Sequence, residues 1–280
     1  MGELYLELAG IRLWVGSDTP VTLRLLEEYT AAAGPADHHF TVRLVSNLTK
    51  PAGTRVYHAA DRQSYRDGDR LLTWQGESNR PHLCAIRQGE DVILEFLAEK
   101  MPQGITGKQL LNAIDLPHLL TIHDGFLLHA SFIEHEEGAI LFTAPSETGK
   151  STQAQLWCDH AGAELVNGDR AAVRILEDAV FACGTPFAGS SNVRKNRSLP
   201  LKAIVYLTQA PENAVTRLRG VQAFRRVWEG CTVNTWDRED MERATKTVSE
   251  VISRVPVYHL ACTPDIRAVE ALKHTMEVEV

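Results

Sequence analysis

Two patterns of apolar and polar positions divide the chain. Up to about residue 97 the apolar residues come in short, roughly alternating runs, LYLELAGIRLWV, HHFTVRLV, TRVYHA, RLLTWQG, HLCAIRQ and DVILEFLA. Gly, Pro, Asp and Asn separate these runs, and the alternation predicts a mostly antiparallel sheet. One helix is predicted within it over residues 21–33, where Val21, Leu25, Tyr29 and Ala32 recur at helical spacing after Asp18-Thr19-Pro20. A second helical stretch covers 107–123. From about Gly125 strands alternate with helices, starting with the hairpin FLLHASFIE and AILFT around His135-Glu136-Glu137-Gly138. Asp237 is placed to cap a helix with the apolar stripe Met241, Ala244, Val248, Val251 and Ile252. VPVYHLA then reads as a buried strand, and Thr263-Pro264-Asp265 as a helix start with Pro at the first helical position. The expectation is a smaller, mostly β region over 1–124 and an α/β core over 125–280.

Composition narrows the function classes. The chain has 280 residues, 44% hydrophobic and 23% charged, with a formal net charge of -7. That excludes fibrous and disordered classes and disfavours a generic nucleic-acid or membrane-surface binder. Acidic residues near the start and the lack of a long apolar run read against a secretory signal, so a cytoplasmic location without a membrane anchor is expected. Leu6 stands where the myristoylation pattern wants Ser or Thr. The five cysteines lie far apart with no C-x-x-C, so free thiols and no structural zinc are expected.

The chemistry-bearing motif is Ala144-Pro145-Ser146-Glu147-Thr148-Gly149-Lys150-Ser151, followed by Thr152. It matches the phosphate-binding pattern G-x-x-x-x-G-K-[ST] with Ala in place of the first Gly. The strand AILFT precedes it and the helical run STQAQLWCDHAG follows, which is the order the mechanism requires. In such a loop the backbone N–H groups and the helix N-terminus attract a polyphosphate. Lys150 would reach its β- and γ-phosphates and the Ser151 hydroxyl would ligate Mg²⁺. The bland alternative is a surface Gly turn with an exposed lysine.

Three further features surround this motif in the chain. Asp169, in ELVNGDR, could hold the metal or take a proton from an attacking hydroxyl, while Asn167-Gly168 could equally make it part of a hairpin turn. His129, one hairpin before the loop, is a candidate acid, base or donor, or else a core histidine. The loop 184–192 contains Ser190, Ser191 and Asn192 and runs into Arg194, Lys195 and Arg197. It is either an anion-binding acceptor site or a solvated loop. His135 is expected to be hairpin-turn polarity.

The stretches LLHASFIEHEEGAILFTAPSETGKSTQAQLW, GAELVNGDRAAV, GTPFAGSS, LPLKAIVYLTQAPENAVTRL and VPVYHLACTPD resemble the HPr kinase-related proteins over about residues 125–275. The resemblance implies the phosphoenolpyruvate carboxykinase-type P-loop fold with a mixed sheet. It implies a histidine one hairpin before the loop, as His129 stands here, and an acid after the loop helix, as Asp169 stands here. The family's adjacent pair of acids is Gly168-Asp169 in this chain, and its usual Gly at the loop start and Glu after Lys-Ser are Ala144 and Thr152. Relatives of this wider group phosphorylate serine in ribosomally made peptides.

Together these readings lead to an ATP- and Mg²⁺-dependent kinase that transfers the γ-phosphoryl group to a hydroxyl of a peptide, protein or small molecule. Lys150, Asp169 and His129 are its catalytic candidates, with Ser151 and Asp169 toward the metal. Ser190, Ser191, Asn192, Arg194 and Lys195 face the acceptor in this scheme. The alternatives are a non-catalytic ATP-binding partner and, less favoured, a carboxykinase, for which no two-histidine-and-acid metal site stands out. The N-terminal region is expected to select the partner through its strand edges, and a homo-oligomer is left open.

Overall fold

The computed structural model describes residues 2–77 and 80–278. The chain divides into two compact units, Met1–Asp115 and Leu116–Val280.

In the first unit the strands are β1 (Gly2–Leu8), β2 (Ile11–Ser17), β3 (Val21–Thr22), β4 (His38–Val45), β5 (Thr54–His58), β6 (Arg62–Asp67), β7 (Arg70–Glu77), β8 (Arg80–Gln88), β9 (Asp91–Leu97) and β10 (Ile105–Thr106). Eight of them form one sheet, ordered β1-β2-β4-β9-β8-β7-β6-β5 among the described residues. Pairing is antiparallel except at β2–β4 and β4–β9. Leu6, Leu8, Ile11, Leu13, Val15, Phe40, Val42, Leu94 and Phe96 are buried, so alternate positions of these strands supply the core. The apolar pattern missed β6, RQSYRD, because only Ser64 of that strand is buried, and its hydroxyl pairs with the Thr73 hydroxyl at 3.0 Å.

The helix expected over 21–33 does not form. Val21 and Thr22 are β-branched and enter a parallel ladder with Ile105 and Thr106. Leu25 then takes a left-handed φ of 85°, which stops helix propagation, and only the single 3-10 turn Glu27–Tyr29 remains. Here the tertiary ladder outweighs local apolar spacing. The stretch 107–123 also divides, into α1 (Gly107–Ala113) and α2 (Leu116–Ile122), because Asp115 adopts a left-handed φ of 56°. A capping box between Thr106 and Gln109 starts α1.

The second unit continues from α2 with β11 (Gly125–His135), β12 (Gly138–Thr143), α3 (Lys150–Ala161), β13 (Glu164–Asn167), β14 (Arg170–Leu176), β15 (Ala179–Gly184), β16 (Ser198–Gln209) and β17 (Ala214–Leu218). It ends with α4 (Gly220–Trp228), β18 (Cys231–Thr232), α5 (Arg238–Arg254), β19 (Val257–Cys262) and α6 (Ile266–Val278). The sheet is mixed: β16 runs parallel to both β12 and β19, and the other pairs are antiparallel. This bears out an α/β unit with a mixed sheet. Both faces are covered. Ala139 and Leu141 of β12 pack with Ala223 and Val227 of α4 and Val248 and Val251 of α5. The alternate residues Ile140 and Phe142 pack with Ala154 and Trp157 of α3 and Ala268, Val269 and Leu272 of α6. A strand covered on both sides is apolar at every position, which is why AILFT reads as a continuous run. Asp237 caps α5, accepting from Glu239 N at 3.0 Å and Asp240 N at 3.3 Å. In α6 the cap is Asp265, which accepts from Arg267 N at 3.0 Å, so Pro264 precedes the helix instead of opening it.

Candidate phosphate-binding site

The site forms where β11 changes partners on both of its flanks. On one flank β12 pairs with residues 130–135 and β18 with 127–128. On the other, β13 pairs with 132–134 and β14 with 125–129. Both changes fall at residues 129–131. There β12 leaves the ladder after Thr143 to enter the 144–149 loop, and Gly168-Asp169 bulges out between β13 and β14.

The bulge replaces the hairpin that Asn-Gly suggested. Residues 164–174 run as one interrupted strand along β11, and Ala130 N donates to Asp169 O at 3.0 Å. Fully buried Asn167 holds the bulge: its Oδ1 accepts from Asp169 N and Arg170 N, both at 2.9 Å. Its Nδ2 donates to Thr185 O at 2.8 Å and Phe187 O at 2.9 Å. The sequence marks Asn167 only as a turn former, since nothing in it shows that its amide reaches the 184–192 loop. A Cβ at Gly168 would lie 2.0 Å from Ser191 Oγ, and one at Gly189 would lie 2.9 Å from Asp169 Cβ. The 184–192 loop therefore packs directly on the Asp169 bulge, and both close approaches need glycine.

His129 and Asp169 meet, with Nε2 to Oδ1 at 3.5 Å, and Arg170 Nε lies 3.7 Å from Asp169 Oδ2. Arg170, absent from the sequence-derived site, also stacks its guanidinium 5.3 Å from the Phe187 ring centre. Burial pushes the His129 imidazole below its ordinary pKa. The Lys150 ammonium adds to that, against the opposing pull of Asp169. His129 is therefore neutral at neutral pH.

The 144–149 loop turns tightly into the start of α3. Ala144 is 6% exposed and packs in the core with Phe142 and Trp157. No positive φ is needed there, which is why alanine can stand in the first glycine position. Glu147 (φ 65°) and Gly149 (φ 115°) take left-handed conformations that curl the backbone into the start of α3, and space lies open beside the Gly149 Cα. Gly149 is the N-cap and brings no side chain to the first-turn N–H groups. Lys150 is only 8% exposed, yet its Nζ donates to two neutral carbonyls, Ala144 O at 3.1 Å and Pro145 O at 3.2 Å. Among the described residues no carboxylate lies within 4.0 Å of it. Burial lowers the Lys150 pKa and the field of Asp169 partly restores it, so the two side chains sense each other without touching. Pro145, Ser146, Ser151 and Thr152 are exposed, and Thr148 is half-buried.

The 190–197 segment divides. Ser190 and Asn192 are exposed, and Ser191 Oγ donates to Ala188 O at 2.8 Å while accepting from Val193 N at 3.2 Å. Arg194 bridges to Asn167 through the backbone, beside the bulge. Lys195 and Arg197 are instead taken up elsewhere. Glu134 and Glu164 stand directly opposite each other on β11 and β13. Lys195 pairs with Glu164, while Arg197 spans Glu134 at 2.6 Å and Glu164 at 2.7 Å. Two like charges in register need cations, and Lys195 and Arg197 supply them at Glu134 and Glu164, farther along β11 than the Ala130–Asp169 contact. His135 also departs from expectation. It is 7% exposed and lies edge-on to Trp157, with ring centres 5.0 Å apart, while the turn is made by Glu136 and Glu137 at φ 48° and 60°.

Among the described residues no group of three or more His, Cys, Asp or Glu gathers as a metal cluster. None of their helices is long and apolar enough to cross a membrane. No protein-family model matches the sequence, and no curated protein matches it. Over part of its length the chain has a weak likeness to a solved structure described as the Hpr(Ser) kinase/phosphatase from Coxiella burnetii. The match covers 55% of this chain and 99% of that one, at 12% identity and a TM-score of 0.33.

Proposed function

We propose that the second unit binds ATP at the 144–151 loop and transfers its γ-phosphoryl group to a hydroxyl. The observation that carries this reading is Lys150, a buried ammonium at the start of α3 that meets only carbonyl oxygens. A buried cation is normally paired, and a polyphosphate is the partner this geometry suits. The uncapped first turn of α3 and the open left-handed Gly149 fit the same ligand.

Bound ATP with Mg²⁺ supplies the phosphoryl group and neutralises charge on its oxygens. Lys150 and the α3 N–H groups hold the phosphates, and the exposed Ser151 hydroxyl stands at the helix start, where it would face the metal. Asp169 accepts the proton of the attacking hydroxyl, and it is the carboxylate that would hold the metal with Ser151. Neutral His129 orients the Asp169 carboxylate through its Nε2 without adding a competing positive charge. Arg170 and the exposed Ser190 and Asn192 rim the acceptor side, and Arg194 joins them through its bridge to Asn167.

The acceptor class is a hydroxyl-bearing peptide, protein or small molecule, and the first unit is assigned the role of choosing it through its outer strands. A cytoplasmic setting suits ATP use. A non-catalytic ATP-binding partner would keep Lys150 but have no use for a carboxylate facing a neutral imidazole, so the Asp169–His129 pair favours chemistry. A carboxykinase would need a histidine-and-acid metal cluster, to which no observation points. Single-turnover incubation with γ-labelled ATP, Mg²⁺ and a library of hydroxyl acceptors tests the reading. Label transfer that Asp169→Asn suppresses supports the kinase, whereas tight ATP binding with no transfer to any acceptor supports the binding partner.

A further inference from the structure

The transfer scheme assigns Lys150 to the phosphates and leaves a second cation, Arg170, beside the Asp169 carboxylate. Arg170 opens β14 directly opposite His129 in the antiparallel register, so their side chains share one face of the sheet, with Asp169 meeting both. The side chains of His129, Asp169 and Arg170 are 35%, 28% and 38% exposed, so the three open to solvent together. Packing holds the guanidinium in place. Thr185 Oγ1 donates to Arg170 O at 2.6 Å, Asn167 Nδ2 holds Phe187 O at 2.9 Å, and the Phe187 ring centre lies 5.3 Å from the guanidinium carbon. Hydrogen bonds do not hold it. Its Nε has no hydrogen-bond partner, and Asp169 Oδ2, its one charged contact among the described residues, stands 3.7 Å away, beyond hydrogen-bond reach. A cation whose only task was to neutralise Asp169 would gain from closing that gap.

The register also fixes what Arg170 faces. β12 and the 144–149 loop lie on one flank of β11, and β14 lies on the other. Arg170 therefore stands across β11 from the loop that would hold the phosphates, on the flank where the 184–192 loop packs on the Asp169 bulge. An acceptor that brings its hydroxyl to Asp169 enters between a carboxylate and a triphosphate. A negatively charged acceptor would be repelled there unless a cation stood at its entry, and the planar fork of an arginine matches the two oxygens of a carboxylate. Lys195 and Arg197, which the sequence put forward for this task, are occupied by Glu134 and Glu164.

We propose that Arg170 selects the acceptor, and that the acceptor carries a carboxylate close to its reacting hydroxyl. This inference rests on the phosphoryl-transfer reading of the same site. Because Asp169 and Arg170 are 3.7 Å apart, the two groups belong to one small hydroxy acid or to a serine beside an aspartate. The hydroxyl oxygen bonds to the γ-phosphorus, the bridging P–O bond to ADP breaks, and the hydroxyl proton passes to Asp169. Arg170 takes no part in those bond changes and holds only the carboxylate.

Transfer from γ-labelled ATP to matched acceptors tests this: glycerate against glyceramide, and a Ser-Asp peptide against its Ser-Asn counterpart. Within each pair the hydroxyl is the same and the charge differs. In at least one pair the acid should be favoured about tenfold or more in kcat/KM, chiefly through KM, and the pair that responds identifies a small molecule or a peptide as the source. Arg170→Gln should bring that ratio close to one. Phe187→Leu, an apolar exchange that removes the ring beneath the guanidinium, should lower it several-fold, with circular dichroism verifying the fold of both variants. Equal transfer to acid and amide, or a preference that survives Arg170→Gln, would overturn the inference and leave the kinase reading standing. Equal losses for acid and amide in Arg170→Gln would assign the guanidinium to the γ-phosphoryl group and overturn it as well. ATP binding with no transfer to any acceptor would instead remove the kinase reading, and this inference with it.

Discussion

Glu95 in the first unit and Lys150 in the second are equally buried, at 8% exposure each, and their surroundings treat them in opposite ways. Glu95 accepts from Thr49 N at 2.7 Å and Thr49 Oγ1 at 2.8 Å, and Trp74 Nε1 donates to Thr49 O at 3.0 Å. Both of its oxygens are engaged in pinning a loop to a strand. Lys150 lies on two carbonyls that orient it without neutralising it. Asp240, fully buried in the second unit, follows the Glu95 pattern. His118 Nδ1 at 2.8 Å, Thr121 Oγ1 at 2.9 Å, Arg243 Nη2 at 2.9 Å and Asn234 Nδ2 at 3.1 Å surround it. Each carboxylate oxygen of Glu95 and Asp240 has a donor, whereas Lys150, an ammonium with three N–H donors, meets two carbonyls and keeps a donor and its charge for a ligand.

That contrast is broken most severely at Lys150. Lys150→Ala is expected to reduce phosphoryl transfer by about 10³-fold or more and to weaken ATP binding, with an unchanged melting temperature. Rapid-quench kinetics and isothermal titration check it, and a drop in melting temperature without loss of transfer would return Lys150 to the structural class. Asp240→Asn should do the reverse, costing about 3–5 kcal/mol of stability in urea unfolding with ATP affinity intact. Burial, the largest single effect, would raise its folded pKa, but His118, Arg243 and Asn234 together outweigh it and hold the carboxyl below its ordinary value. Its stabilising contribution is therefore complete above the unfolded pKa of about 3.9 and is lost as pH falls toward the folded value. The variant should show a shallower acid limb in its stability profile.

Asp169→Asn should slow transfer by about 10²-fold while ATP affinity stays within a few-fold, because the group is needed only once the acceptor attacks. Glu95→Gln should cost about 1–3 kcal/mol and leave nucleotide binding untouched. The smallest effect is expected at His129. Burial and the Lys150 ammonium push its pKa below the ordinary imidazole value, so loss of transfer through ring charging should appear only at a more acidic pH than an ordinary histidine would give. His129→Ala should be several-fold slower and lack that acid limb.

The loop and its flanking strand and helix were legible in the residues because each is locally encoded: AILFT is covered on both faces, Gly149 supplies a left-handed turn, and Asp237 caps its own helix. Asp169 was legible as an acid but not as part of a bulge. The amide of Asn167 decides that, through contacts to Thr185 and Phe187. Lys195 and Arg197 looked like anion ligands because the sequence is silent on Glu134 and Glu164 standing in register.

The sequence alone therefore determined what depends on neighbours within a few positions. The short strands of the first unit, the α/β alternation of the second, the helix caps and the 144–149 loop are all of this kind, because turn conformation and apolar period act over one or two turns of chain. Tertiary structure decided what depends on residues far apart. It replaced a helix over 21–33 with a ladder to Ile105 and Thr106, brought His129 to Asp169 where β11 exchanges partners, and assigned each buried charge its surroundings. Electrostatic environment is set by whatever packs within a few ångströms, and that proximity exists only once the sheet has closed.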